Sequence, residues 1–176
     1  MTDRQHRARI ARQLLDEAPA EARSLSWAQL DAAPAWLALE RAELQALALR
    51  CGSVLAAPAL RLWISGPLRE LARATLGAPW WRALRHAPDW PPLPEGLARG
   101  LPAGLGDWPA VSTPAALGQQ FTEAGAAVLL AGLPHGSLRH AASRRLGPVA
   151  AWVMPQATAL AVLRETLALQ SRVVPA

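Results

Sequence analysis

Leu37, Leu44, Leu47, Ala48, Cys51 and Leu55 recur at the intervals that stack side chains along one side of an α-helix, while Glu40, Arg41, Glu43 and Arg50 fall on the other faces. No strand alternates apolar and polar residues in this way. The pattern predicts an amphipathic helix that starts after Asp31 and Pro34 and ends near Gly52 or runs to Ala57. The rest of the chain repeats the theme between prolines and glycines. Pro58 opens a segment with Leu60 and Ile64 facing inward, "SGP" at residues 65–67 interrupts it, and Leu68, Leu71 and Ala72 resume the stripe up to Leu76 and Gly77. "PWWRALR", residues 79–85, adds one or two turns that close a helical hairpin.

Thr113 before Pro114 reads as an N-cap with proline in the first turn, followed by Leu117, Phe121, Ala124, Val128 and Ala131 at helical spacing. Gly132 and Pro134 stop it. Ser137 is placed to cap a further helix carrying Leu138, Ala141, Ala142 and Leu146, and residues 155–171 carry Leu160, Leu163 and Leu167. Between these halves, residues 88–114 are crowded with proline and glycine yet keep Trp90, Leu93, Leu97, Leu101, Leu105 and Trp108. Such a stretch is too broken for a long helix and too apolar for a solvated linker. It reads as an ordered loop wrapped on the surface, with a short helix at residues 94–99. No repeat of solenoid period is present.

With 52% apolar residues but 1 Phe and 0 Tyr, the chain lacks the aromatic and β-branched richness of strands. The fold class expected is all-α: a single compact multi-helix domain over residues 31–176, with the Pro/Gly-rich loop in its middle. Residues 1–30 form a basic N-terminal arm, whose order the sequence leaves open.

All 18 basic side chains are arginine and the net charge is +5. Arg4, Arg7, Arg9 and Arg12 cluster, but Asp16, Glu17 and Glu21 follow at once and the other arginines are dispersed, unlike the concentrated footprint of a polyanion-binding protein. A single cysteine, Cys51, excludes an intrachain disulfide. The amino terminus has positive charge but no apolar h-region after it, and the longest uncharged run, residues 146–163, is broken by Pro148 and Pro155. These features predict a soluble cytoplasmic protein.

Reactive constellations are scarce. His135 and Ser137 in "LPHGSLRH" lack both the strand–turn–helix elbow and an orienting carboxylate, so the serine is better read as a cap. His6, His86, His135, His140 and Cys51 show no ligand spacing, and no metal site is expected. "GLPAGLG", residues 100–106, has glycines without a following lysine and with Pro102 inside, which makes it a loop rather than a phosphate cradle. No catalytic residue and no cofactor is expected. An enzyme would have to gather distant groups such as His86, Asp89 and Glu123.

Eight tryptophans are the more unusual feature. Trp36, Trp63 and Trp152 sit in apolar settings and read as core. Trp80 and Trp81 are adjacent and cannot share one helical face, so one of them, or Trp90 or Trp108, is available as an interface anchor. Arg61, Arg69 and Arg73 fall on a four-residue series, and Arg82 and Arg85 extend the basic character. The plain reading is a solvated face. The functional one is a partner-binding site of Arg61, Arg69, Arg73, Trp80, Trp81, Arg82 and Arg85 that uses the bidentate guanidinium geometry against carboxylates.

"LQALALRCGSVLAAPALRLWISGPLRELARATLG" resembles the central segment of the SctK family, accessory proteins of the sorting platform of bacterial type III secretion systems. Cys51, Gly52, Val54, Leu55, Arg61, Ile64, Leu68 and Leu71 occupy comparable places. "FTEAGAAVLLAGLPHGSLRHAASRRLGP", residues 121–148, is similar to a second family region, although the aromatic expected near residues 135–138 is absent and the ending at residues 145–148 is looser. The resemblance covers roughly residues 37–87 and 113–148. It implies an all-helical, non-enzymatic cytoplasmic adaptor at the inner face of the inner membrane, between the cytoplasmic domain of the inner-membrane ring protein and the pods of the C-ring-like protein. The stator-like protein and the ATPase belong to the same assembly. A helical nucleic-acid-binding protein using Arg4–Arg12 is the alternative.

Overall fold

A computed structural model describes residues 3–63, 65–87, 113–134, 136–147 and 154–173. The described residues are all-α. Helices α1 (Asp3–Glu17), α2 (Pro19–Ala22) and α3 (Trp27–Asp31) lead into a 3-10 turn at Ala35–Ala38 and the long α4 (Arg41–Leu55). Then come α5 (Ala57–Arg61), α6 (Gly66–Leu76), α7 (Ala78–Leu84), α8 (Pro114–Ala131), α9 (Ser137–Leu146) and α10 (Gln156–Val173). The expected loop over residues 88–112, with its short helix at 94–99, lies outside the described residues.

The centre of the molecule is the crossing of α4 and α8. From Ala124 to Ala131 every residue of α8 is buried, which marks a helix covered on all sides rather than one with a solvent face. Helices α6, α9 and α10 cover it. Leu44, Leu47, Ala48, Cys51 and Leu55 of α4 are buried as their spacing predicts. Of the two expected ends, the later one near Ala57 is the closer, with Ala56 as C-cap, and Gly52 does not end that helix. It lies inside it, where the backbone of α4 meets the backbone of α8: a Cβ on Gly52 would overlap the Phe121 carbonyl, standing 2.7 Å from its carbon, and one on Gly125 would come within 2.8 Å of the Gly52 nitrogen. Only paired glycines allow the two helices this approach.

The helix starts differ from the sequence expectation in two places. Asp31 closes α3, and α4 begins ten residues later behind Glu40, whose N–H donates to the Glu43 carboxylate at 3.0 Å. Pro34 instead precedes the 3-10 turn, because four residues of "AWLA" tuck Trp36 and Leu37 into the core before a full helix can start. Gly136, at φ +126°, is the N-cap of α9, and Ser137 is its first helical residue. The Thr113 cap is as expected, its hydroxyl accepting the Ala116 N–H at 3.3 Å.

The arm before residue 31 joins the same core. Ile10, Leu14 and Ala18 are buried against it together with Leu30. On α10 the visible leucine stripe is not the buried one: Ala159, Val162, Thr166 and Leu169 face inward, while Leu160 and Leu167 are exposed. Small and β-branched side chains let α10 approach the α4/α8 pair closely, and that leaves the leucines on an open flank.

Cys51 is fully buried beside Thr166, and burial pushes its thiol up to about 12 from 9.0. A neutral buried thiol is a poor nucleophile. Native protein is therefore expected to resist a disulfide reagent such as DTNB at pH 8, with one thiol released on unfolding. Because the unfolded thiol ionises near 9 and the folded one does not, stability should fall as pH rises through about 9 to 12. Rapid labelling of native protein would show that Cys51 is open to solvent.

Candidate docking surfaces

The helices α6 and α7 meet at Gly77, whose φ of +79° permits the sharp turn between them. Their outer faces enclose a cleft of about 410 Å³, lined by Arg69, Arg73, Trp81, Arg82 and Arg85, with one carboxylate, Glu70. Five of the seven residues singled out by sequence are thus brought together. The other two are turned away from the cleft.

Trp80 is only 5% exposed, its indole N–H donates to the Ser53 hydroxyl at 2.9 Å, and the Arg50 guanidinium lies over its ring at 5.4 Å. It pins α7 to α4 and belongs to the core. Arg61 donates to the Ala87 carbonyl, so its guanidinium ties the end of α5 to the segment after α7. Of the adjacent tryptophans, Trp81 is the one left half-buried at the surface. Trp36 and Trp63 are buried as expected; Trp90, Trp108 and Trp152 lie outside the described residues. Trp27, on the short α3, is 73% exposed, an exposure its polar-sided neighbourhood in the sequence did not single out.

Electrostatically the cleft differs from the ion-paired flank formed by α1 and α9. In α1 and α9 arginines face acids: Arg7 meets Asp31 at 2.8 Å, Arg9 meets Glu40 at 3.9 Å and Arg144 meets Glu21 at 3.8 Å. The N-terminal cluster that would serve a nucleic acid is therefore partly neutralised at home. In the cleft, Arg73 reaches Glu70 at 3.6 Å, an exposed pair worth little. Among the described residues Arg69, Arg82 and Arg85 form no ion pair.

A second depression adjoins the first across α7 and shares Arg82 with it. It holds about 480 Å³ and is bounded by Ala83, His86, Leu169, Arg172 and Val173. On another flank, between the 3-10 turn, α4 and α10, lies an apolar groove of about 550 Å³ formed by Trp36, Leu39, Leu47, Leu163 and Leu167, with Glu43 and Arg50 at its edges. Here the outward Leu167 of α10 finds its place beside the half-buried Leu163.

The most deeply engaged arginine is one that nothing in the pattern of residues separates from the others. Arg145 is fully buried, and it donates to the Leu37 carbonyl at 2.6 Å, the Leu39 carbonyl at 2.8 Å, Glu17 at 3.2 Å and Gln13 at 3.3 Å. It stitches α9 to α1 and to the 3-10 turn.

The residues weighed for chemistry are dispersed in other roles. His140 approaches Glu21 at 3.6 Å, Glu123 accepts from Gln119 at 2.9 Å within α8, and His86 edges the second depression. His135 and Asp89 lie outside the described residues. Among the described residues no three His, Cys, Asp or Glu side chains gather in a metal-binding group, and no helix is long and apolar enough to cross a membrane. No family model, no curated protein and no solved structure matches this chain.

Proposed function

We propose that the chain is a non-enzymatic adaptor of a bacterial type III secretion sorting platform, an SctK-like protein that links the inner-membrane ring protein to the C-ring-like pod protein. The observation that carries this reading is the pair of unlike clefts on one helical body: an arginine-lined cleft on α6 and α7, and an apolar groove between α4, the 3-10 turn and α10. A linker needs two surfaces that do not compete for one partner, and opposite chemistry supplies that discrimination. The family resemblance of residues 37–87 and 113–148 supplies the assembly. In it the adaptor sits on the cytoplasmic side of the inner membrane, near the stator-like protein and the ATPase, without entering the bilayer.

Charge reversal of Arg69 and Arg73 together tests the reading. Both side chains are exposed, so the thermal midpoint should hold, while retention of the pod or ring protein should fall at least about tenfold and secretion with it. Unchanged retention and unchanged secretion would remove the cleft from platform assembly.

A further inference from the structure

The two depressions flanking α7 form one continuous face. Its charged groups are Arg69, Arg73, Arg82, Arg85 and Arg172 against the single carboxylate of Glu70, with His86 beside them. Four arginines elsewhere in the described chain, Arg7, Arg9, Arg144 and Arg145, are met by acids of neighbouring elements, while others such as Arg4, Arg41 and Arg164 stand apart from one another. Here the like charges are held together by the fold instead. We propose that this α6–α7–α10 face binds an extended acidic segment of a partner protein, a run with carboxylates at alternate positions followed by an aliphatic side chain. The proposal rests on the adaptor reading and specifies what its basic cleft recognises.

The spacing sets the first half of that motif. Arg69 and Arg73 are one helical turn apart, about 6 Å along the axis of α6, at 1.5 Å per residue. In an extended segment the side chains on one side recur every two residues, about 6.7 Å. Carboxylates at alternate positions therefore meet successive guanidinium forks, each able to take two hydrogen bonds. Arg82 and Arg85, contributed by α7 and its C-cap, line the same cleft and add further guanidinium groups, with the half-buried ring of Trp81 beside them.

The second half follows from what lies past Arg82. There the wall changes to Ala83, Leu169 and Val173, which seat an aliphatic side chain, with Arg172 at the rim. A sugar-phosphate backbone would find the charges of the first depression and Arg172 and His86 at the rim of the second, but Ala83, Leu169 and Val173 between them offer its phosphates no donor. This favours a peptide over a nucleic acid, whose affinity rests on phosphate neutralisation throughout.

The test uses the full chain and a fluorescein-labelled peptide, Gly-Glu-Ser-Glu-Ser-Glu-Leu-Leu-Gly, read by fluorescence anisotropy at 50 and 300 mM salt. Binding is expected at the lower salt. It should weaken about tenfold with Arg82→Glu and with the peptide's leucines replaced by serine, and weaken again at the higher salt. Arg82 is exposed, so circular dichroism and the thermal midpoint of the variant should match the parent. Lack of peptide binding at millimolar concentration, binding insensitive to Arg82→Glu, or a twelve-nucleotide oligothymidine that binds more tightly than the peptide would each overturn the proposal. The two readings fail separately. A chain that retains the pod protein but ignores the peptide loses this site and keeps the adaptor role; one that binds the peptide through Arg82 but retains no platform protein keeps the site and loses the role.

Discussion

Gly125→Ala should be the most damaging single-methyl change in this protein, costing on the order of 3 kcal/mol or more. The added Cβ would overlap the Ala48 carbonyl and stand 2.8 Å from the Gly52 nitrogen, and both are backbone of a central helix. A side chain can rotate aside, but a helix backbone must move bodily, and moving α4 opens the core that both helices fill. With roughly 2–4 °C of melting temperature per kcal/mol for a chain of this size, the midpoint should drop by about 10 °C. Gly118→Ala in the same helix is the control. Its Cβ would meet only the Leu49 and Thr75 side chains at 3.6 Å, ordinary contact, so the gain in helix propensity should stabilise by about 0.5–1 kcal/mol. Opposite signs from the same substitution in one helix would establish the close crossing. Two equal and small effects would contradict it.

Arg145→Met should cost about 3–5 kcal/mol, because it leaves the carbonyls of Leu37 and Leu39 without their donor and strands Glu17 near the interior. The loss is local in its consequences. Helix α1 and the 3-10 turn lose the residue that joins them to α9, so limited proteolysis should cut before Glu40 in the variant well before it cuts α8. Arg145→Lys should recover little, since a single ammonium cannot reproduce the planar fork that reaches Leu37 through one nitrogen and Leu39 through the other. A thermal midpoint within 2 °C of the parent for Arg145→Met would show the network to be dispensable.

What the sequence displayed and what it hid divide along a physical line. Periodicity within one segment reports local geometry, and it placed α4, α6, α8 and α9 with the correct buried faces, including Leu117, Phe121 and Val128 on α8. Contacts between segments leave no such trace. Gly52 looked like a helix end because glycine commonly is one, whereas here it answers Gly125, seventy-three positions away and just as inconspicuous within its run of small residues. Arg145 resembled every other arginine, since nothing in a sequence tells a solvated guanidinium from one held by the carbonyls of a distant turn. The candidate cleft was partly legible for the same reason. Arg69 and Arg73 share one helix, and Arg82 and Arg85 lie on the next helix and at its C-cap, so each pair was visible; that Trp80 turns inward to Ser53 while Trp81 stays at the surface depends on how α7 packs against α4. The contribution of Arg172 depends on α10 ending beside α7, and Trp27 is exposed because α3 buries Leu30 instead.

The adaptor reading is tested most directly by affinity purification of the tagged full chain from secreting bacteria, with nuclease added and at moderate salt, followed by identification of what is retained. Both the C-ring-like pod protein and the inner-membrane ring protein should be retained, with at least one of them lost when Arg69 and Arg73 are reversed to glutamate. Recovery of neither protein, or of material that disappears on nuclease treatment, would contradict that reading and return the arginines of α1 to the foreground.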